Sequence, residues 1–175
     1  MSTSSRRRGP AVRVAMMGLL FALAMVLSFA ESLLPVLPGL PPGVKLGLSN
    51  VVTMFTLFFL GLRPGLTLAC LKGLFALLTR GPVAGAMSLG GGLLSVLIMW
   101  ILLRAKRWEA SELLISVFGA VFHNVGQLFV AGLVLKSAFV WYYLPVLAIS
   151  GVLMGCLTGL LLRVMTPYMK RLNLT

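Results

Sequence analysis

The chain contains no aspartate. Its whole acidic complement is Glu31, Glu109 and Glu112, and it carries a single histidine, His123, and two cysteines, Cys70 and Cys156. Each shortage removes a class of chemistry. Without Asp there are no paired aspartates to hold the magnesium diphosphate of a prenyl-transfer reaction. One His with no Cys or Asp near it is a poor metal site, so no metal or cofactor is expected. The two cysteines fall inside apolar runs and read as small buried side chains, not as a disulfide or metal pair. No Ser, His and acid set, no nucleotide-binding motif and no flavin fingerprint occurs, and Gly90-Gly91-Gly92 is not a phosphate-binding loop because the GxxxxGK[ST] pattern is missing. The chain therefore does not read as an enzyme.

Charge is scarce as well: 10% of the 175 residues are charged, against 59% hydrophobic and a mean hydropathy of +1.06. A water-soluble core of ordinary size cannot absorb that much apolar surface, so lipid must be the solvent. A spanning helix takes about 20 mostly apolar residues. The runs between Pro, Gly and Arg predict an all-α integral membrane bundle of six transmembrane helices. They run from Ala11 to Leu34, Leu46 to Leu62, Pro64 to Leu78, Pro82 to Leu103, Glu112 to Leu135 and Trp141 to Met165. The transmembrane domain covers 11–166, between basic tails at 1–10 and 167–175. The third span is the least regular, being short and carrying Lys72 in its middle, which implies tilt, a re-entrant course or shielding by neighbours. A cleaved signal peptide ending at Ser28-Phe29-Ala30 is the rival for the first span, but the apolar stretch continues through Leu33 and Leu34.

The net charge of +12 resembles a nucleic-acid signal, yet the cations sit singly or in small clusters at the ends of apolar runs. They read as topology signals. With six spans, Arg6, Arg7, Arg8, Arg13, Arg63, Arg104, Lys106, Arg107, Arg163, Lys170 and Arg171 fall on the terminal side, and Lys45, Arg80 and Lys136 on the other. That excess places both termini in the cytoplasm and the protein in the cytoplasmic membrane.

Polar residues within the spans are the candidates for function. In the fifth span His123 and Gln127 stand at i and i+4 with Asn124 beside them, an expensive cluster in hydrocarbon unless other helices, water or a ligand satisfy it. Interhelical hydrogen bonding is the plain alternative. Glu31 lies near the end of the first span; across Pro35 to Lys45, a proline-rich stretch that reads as a semi-rigid lid, stand Lys45 and Asn50. A Glu31 to Lys45 ion pair would close that lid. Lys72 can snorkel, pair with Glu31 or meet an anionic substrate group. Gly90-Gly91-Gly92 is expected to break or thin the fourth span beside a cavity. Trp141, Tyr142 and Tyr143 open the last span as an aromatic belt or as the rim of a site, where rings would suit a ring-bearing ligand. Small residues line two stripes, Ala11, Ala15, Gly18 and Ala22 in the first span and Gly151, Gly155 and Gly159 in the last. Internal helix packing is the ordinary meaning of both. The cavity set is thus Glu31, Lys45, Asn50, Lys72, His123, Asn124, Gln127 and Tyr142, leaning toward an anionic or polar small molecule.

The stretches Glu31-Ser32-Leu33-Leu34-Pro35, Pro42 to Asn50, Ser88 to Ser95, His123 to Gln127 and Tyr142-Tyr143-Leu144-Pro145 resemble, in order and over nearly the whole chain, the bacterial Gx transporter family. That family is also called heptaprenyl diphosphate synthase component I, and it is similar to the substrate-binding S components of energy-coupling factor transporters. The resemblance implies a six-helix S-component-like bundle that captures a scarce vitamin-like molecule from outside. Transport would depend on a transmembrane coupling subunit, docked on the Ala11, Ala15, Gly18, Ala22 stripe, and on two cytoplasmic ATPases. The second family name implies a non-catalytic membrane component beside a prenyl diphosphate synthase in menaquinone side-chain synthesis.

Overall fold

A computed structural model describes residues 10–33, 47–105 and 111–171. All regular structure in the described residues is helical: α1 (Pro10–Leu33), α2 (Asn50–Leu60), α3 (Leu62–Arg80), α4 (Pro82–Arg104), α5 (Glu112–Leu135), a 3-10 turn (Ala138–Tyr143) and α6 (Leu144–Arg171). Successive helices from α3 to α6 pack as antiparallel neighbours, with α1 and α2 against α3. The bundle wears its apolar residues outside: Val14, Leu19, Val26, Leu78, Phe139, Ile149, Leu153 and Val164 are all exposed. A soluble protein does not tolerate such a surface, whereas hydrocarbon does. Five helices are long and apolar enough to cross a membrane, and the chain is a multi-pass membrane protein.

The second expected span is shorter than the sequence indicated. α2 has 11 residues, about 16 Å at 1.5 Å per residue, roughly half of a bilayer's hydrocarbon core. The apolar run from Leu46 to Leu62 conceals this because its first residues, Gly47 to Ser49, are loop and turn. α3, expected to be the irregular span, is a continuous helix of 19 residues. Lys72 is tolerated there because it is shielded: it is buried and donates to Thr53 Oγ1 of α2 at 3.1 Å. At the other end of the chain α6 continues to Arg171, past the expected stop near Met165, with Pro167 inside it. Trp141 to Tyr143 belong to the 3-10 turn that precedes α6 and do not open the helix itself.

Single glycines make the two tightest connections. Gly61 joins α2 to α3 at φ 92°, ψ −174°, and Gly81 joins α3 to α4 at φ 91°, ψ 175°, a region closed to residues with a Cβ. Both use the same hydrogen bonds: the Gly61 N–H donates to Leu57 O and the Gly65 N–H to Gly61 O, as Gly81 N–H does to Leu77 O and Gly85 N–H to Gly81 O. A Cβ on Gly81 would have open space around it, so substitution there tests backbone strain alone. Gly81→Ala is expected to destabilise the detergent-solubilised protein by about 1–3 kcal/mol; a thermal midpoint equal to wild type would contradict the assigned turn.

Glycines also set the closest helix approaches. The Gly90-Gly91-Gly92 run does not break α4, which is continuous from Pro82 to Arg104. Its role is contact: a Cβ on Gly91 would lie 2.6 Å from the His123 carbonyl oxygen, and one on Gly126 would lie 2.9 Å from the Gly91 Cα. The Gly151, Gly155, Gly159 stripe likewise seats α6 on α5, where added Cβ atoms would come within 3.0, 2.4 and 2.7 Å of the Val121, Val117 and Leu113 Cα atoms. The first-helix stripe behaves oppositely. Ala11, Ala15, Gly18 and Ala22 are exposed, and α1 meets the bundle through Leu20, Ala24, Ser28 and Glu31. Internal packing, the ordinary expectation for both stripes, holds for the last span and not for the first.

The expected burial of the cysteines is also corrected. Cys70 is exposed on α3 and Cys156 half-buried on α6, both as free thiols.

Candidate functional site

At one end of the bundle, the C-terminus of α1, the turn before α2, the C-terminus of α3 and the start of α4 surround the middle of α5. Their side chains enclose a small cavity lined by Ser28, Glu31, Gly47, Ser49, Lys72, Arg80, Ala84, Ser88, His123 and Gln127. Its volume, about 20 Å³, admits one or two water-sized groups. A metabolite needs the surrounding side chains to move.

Helical spacing explains how the residues meet. Ser28 and Glu31 are i and i+3 on the buried face of α1, and His123 and Gln127 are i and i+4 on α5. Lys72 and Arg80 are two i+4 steps apart on α3. The Glu31 carboxylate accepts from the Gly47 N–H at 2.5 Å, which ties the chain entering α2 to the end of α1. It also lies within electrostatic reach of the Arg80 guanidinium. His123 Nε2 and the Gln127 amide nitrogen are 2.6 Å apart. Whichever tautomer the ring takes and whichever way the amide is turned, one ring nitrogen and one amide atom remain beyond that pair.

Five buried side-chain atoms have no hydrogen-bond partner of good geometry among the described residues: Glu31 Oε2, Asn50 Oδ1, His123 Nδ1, Asn124 Oδ1 and Gln127 Oε1. Leaving such an atom unpaired costs about 1–3 kcal/mol. Three of the five belong to residues that line the cavity. Their concentration there is what a polar ligand, or water in its place, would relieve.

Of the eight residues expected at the site, Glu31, Lys72, His123 and Gln127 line this cavity. Asn124 does not; its amide crosses to α6, donating to Leu147 O at 2.7 Å and reaching Ser150 Oγ at 3.3 Å. Asn50 is turned to Ser95 Oγ at 3.4 Å, and Ser95 Oγ in turn donates to Gly119 O at 2.7 Å, so it links α2, α4 and α5 beside the cavity. Tyr142 is 78% exposed and stacks on Phe139 with ring centroids 6.0 Å apart, as a membrane-interface residue would. The aromatic rim expected for a ring-bearing ligand is thus absent from the described lining, where His123 supplies the one ring. Lys45, with the proline-rich stretch and the Glu31 to Lys45 pair proposed to close it, lies outside the described residues.

Sequence reasoning missed Arg80, Ser28, Ser49 and Ser88. In sequence Arg80 reads as a topology signal because it ends a span; its spacing from Lys72 is the available clue. Isolated serines in apolar helices carry no comparable signal. No group of three or more His, Cys, Asp or Glu side chains that could hold a metal occurs among the described residues.

A helical membrane bundle with a small, buried, charged cavity at one end is the class of protein that this geometry defines. The family model described as heptaprenyl diphosphate synthase component I matches residues 20–165, and the chain belongs to that family. No curated protein and no solved structure matches it.

Proposed function

We propose that the chain is the membrane-embedded binding subunit of an importer for a small polar metabolite, powered by separate coupling and ATPase subunits. The observation that carries this reading is the convergence of Glu31, Lys72, Arg80, His123 and Gln127, drawn from three helices, on one cavity with unpaired polar atoms on its walls. Two cations facing one carboxylate, with amide and imidazole groups beside them, suit a ligand that bears an anionic group and at least one N–H or O–H donor. Such a constellation binds and orients. It supplies no nucleophile activated by an adjacent base, so the subunit is read as non-catalytic. The cation asymmetry puts both termini in the cytoplasm and the cavity end outside.

The exposed stripe Ala11, Ala15, Gly18, Ala22 is the surface on which a coupling subunit would dock, since small residues let a second helix approach closely. Gly18 has nothing within 4 Å of an added Cβ. Gly18→Leu is therefore expected to leave the thermal midpoint unchanged and to abolish co-purification of the coupling subunit and its ATPases from the native membrane. Unaltered recovery of those partners would remove the docking assignment.

The family's description favours a second reading, a non-catalytic membrane partner of a prenyl diphosphate synthase. Mild-detergent purification separates the two. A soluble synthase recovered without ATPases would select the second, and ATPases with a transmembrane partner the first.

A further inference from the structure

The opposite end of the bundle carries a second, unrelated groove. It lies between the Gly61 junction and the last turn of α4, has a volume of about 720 Å³, and is lined by Leu57, Leu60, Arg63, Trp100, Leu103 and Arg104 among others. Arg63 sits in the first turn of α3 and Arg80 in its last; the groove and the cavity are thus separated by the length of that helix, about 25 Å at 1.5 Å per residue.

Its chemistry is of two kinds. The walls are leucine and tryptophan, continuous with the lipid-facing surface where Ile101 is exposed. The mouth carries two guanidinium groups, and no acidic residue is among the lining residues. Glu112, the acid described at this end, lies instead beside Thr166 and Arg163 between α5 and α6, and is not among the groove's lining residues. Arg104 lies 5.0 Å from the Trp100 ring centroid, where the ring face limits the guanidinium's freedom. Guanidinium forks match phosphate oxygens, and paired cations at a span's end face the headgroup layer.

We infer that this groove binds an anionic phospholipid of the bilayer, with its phosphate held between Arg63 and Arg104 and an acyl chain along half-buried Leu60 and exposed Leu103. Charge complementarity decides the occupant. A phosphatidylglycerol headgroup offers the arginines net negative charge alone, whereas phosphatidylcholine also brings a quaternary ammonium into a site with no carboxylate among its described lining residues.

Native mass spectrometry of the full chain in detergent, titrated with phosphatidylglycerol or phosphatidylcholine, tests the assignment. Wild type should retain phosphatidylglycerol preferentially, and Arg63→Gln/Arg104→Gln should weaken that retention by about tenfold or more. Arg163→Gln removes a charge at the same end outside the groove and should leave retention unchanged. Arg63→Lys/Arg104→Lys keeps the charge and should recover part of the binding, which distinguishes recognition from misfolding. Equal retention of the two lipids, or equal retention by wild type and the double Gln variant, would overturn the proposal. Preferential retention of added farnesyl diphosphate over phosphatidylglycerol would also overturn it and assign the groove to a prenyl diphosphate.

Discussion

Gly155→Ala is expected to be the most damaging single-methyl substitution in the last helix. The new Cβ would meet the Val117 Cα at 2.4 Å, the Val117 N at 2.9 Å and the Ser116 carbonyl at 3.0 Å. All three are backbone atoms, so no rotamer change relieves the clash and α6 must move off α5. Overpacking of this kind costs about 1–3 kcal/mol and occasionally more. At roughly 2–4 °C per kcal/mol for a chain of this size, the thermal midpoint should fall by about 5–10 °C. Gly18→Ala is the matched control, adding the same methyl where no atom lies within 4 Å, and should shift the midpoint little. Equal shifts for the two would mean that α5 and α6 do not meet along this seam.

The second large effect is expected on binding, with stability spared. His123 and Gln127 are buried, bonded to one another, and each retains an atom with no hydrogen-bond partner of good geometry among the described residues. Removing one member leaves the other stranded, while replacing both with apolar groups of similar shape is nearly neutral or stabilising. His123→Leu/Gln127→Met should therefore hold or raise the thermal midpoint. Ligand retention should fall by about 100-fold, as expected when two hydrogen bonds of roughly 1–2 kcal/mol each are lost. A midpoint lowered by 10 °C or more would show that the pair is structural glue, as Asn124 is toward α6.

The long spans were legible because hydrocarbon demands continuous apolar runs, and α1, α4 and α5 begin and end within a residue or two of expectation. α2 was overestimated because apolar loop residues look like apolar helix residues. His123 and Gln127 share a face by spacing alone, whereas Asn124 is one residue away and points about 100° around the helix; composition cannot tell which of the two directions is the cavity. The glycine run was visible, but a kinked helix and a close helix crossing require the same residue for different reasons, absence of side chain in both. The two small-residue stripes were indistinguishable in sequence and have opposite fates. What separates them is where the neighbouring helices lie, a tertiary fact. Arg80 shows the same limit, since a cation ending a span serves topology and lines a site with the same atoms.

On this reading the cavity of Glu31, Lys72, Arg80, His123 and Gln127 holds a small polar molecule. Its most direct test is mass spectrometry of the small molecules retained by the full chain purified from its native membrane, run beside His123→Leu/Gln127→Met. One polar metabolite is expected at near-stoichiometric amount in wild type and none in the variant. A wild-type protein that retains nothing, or a metabolite retained equally by both, would contradict it.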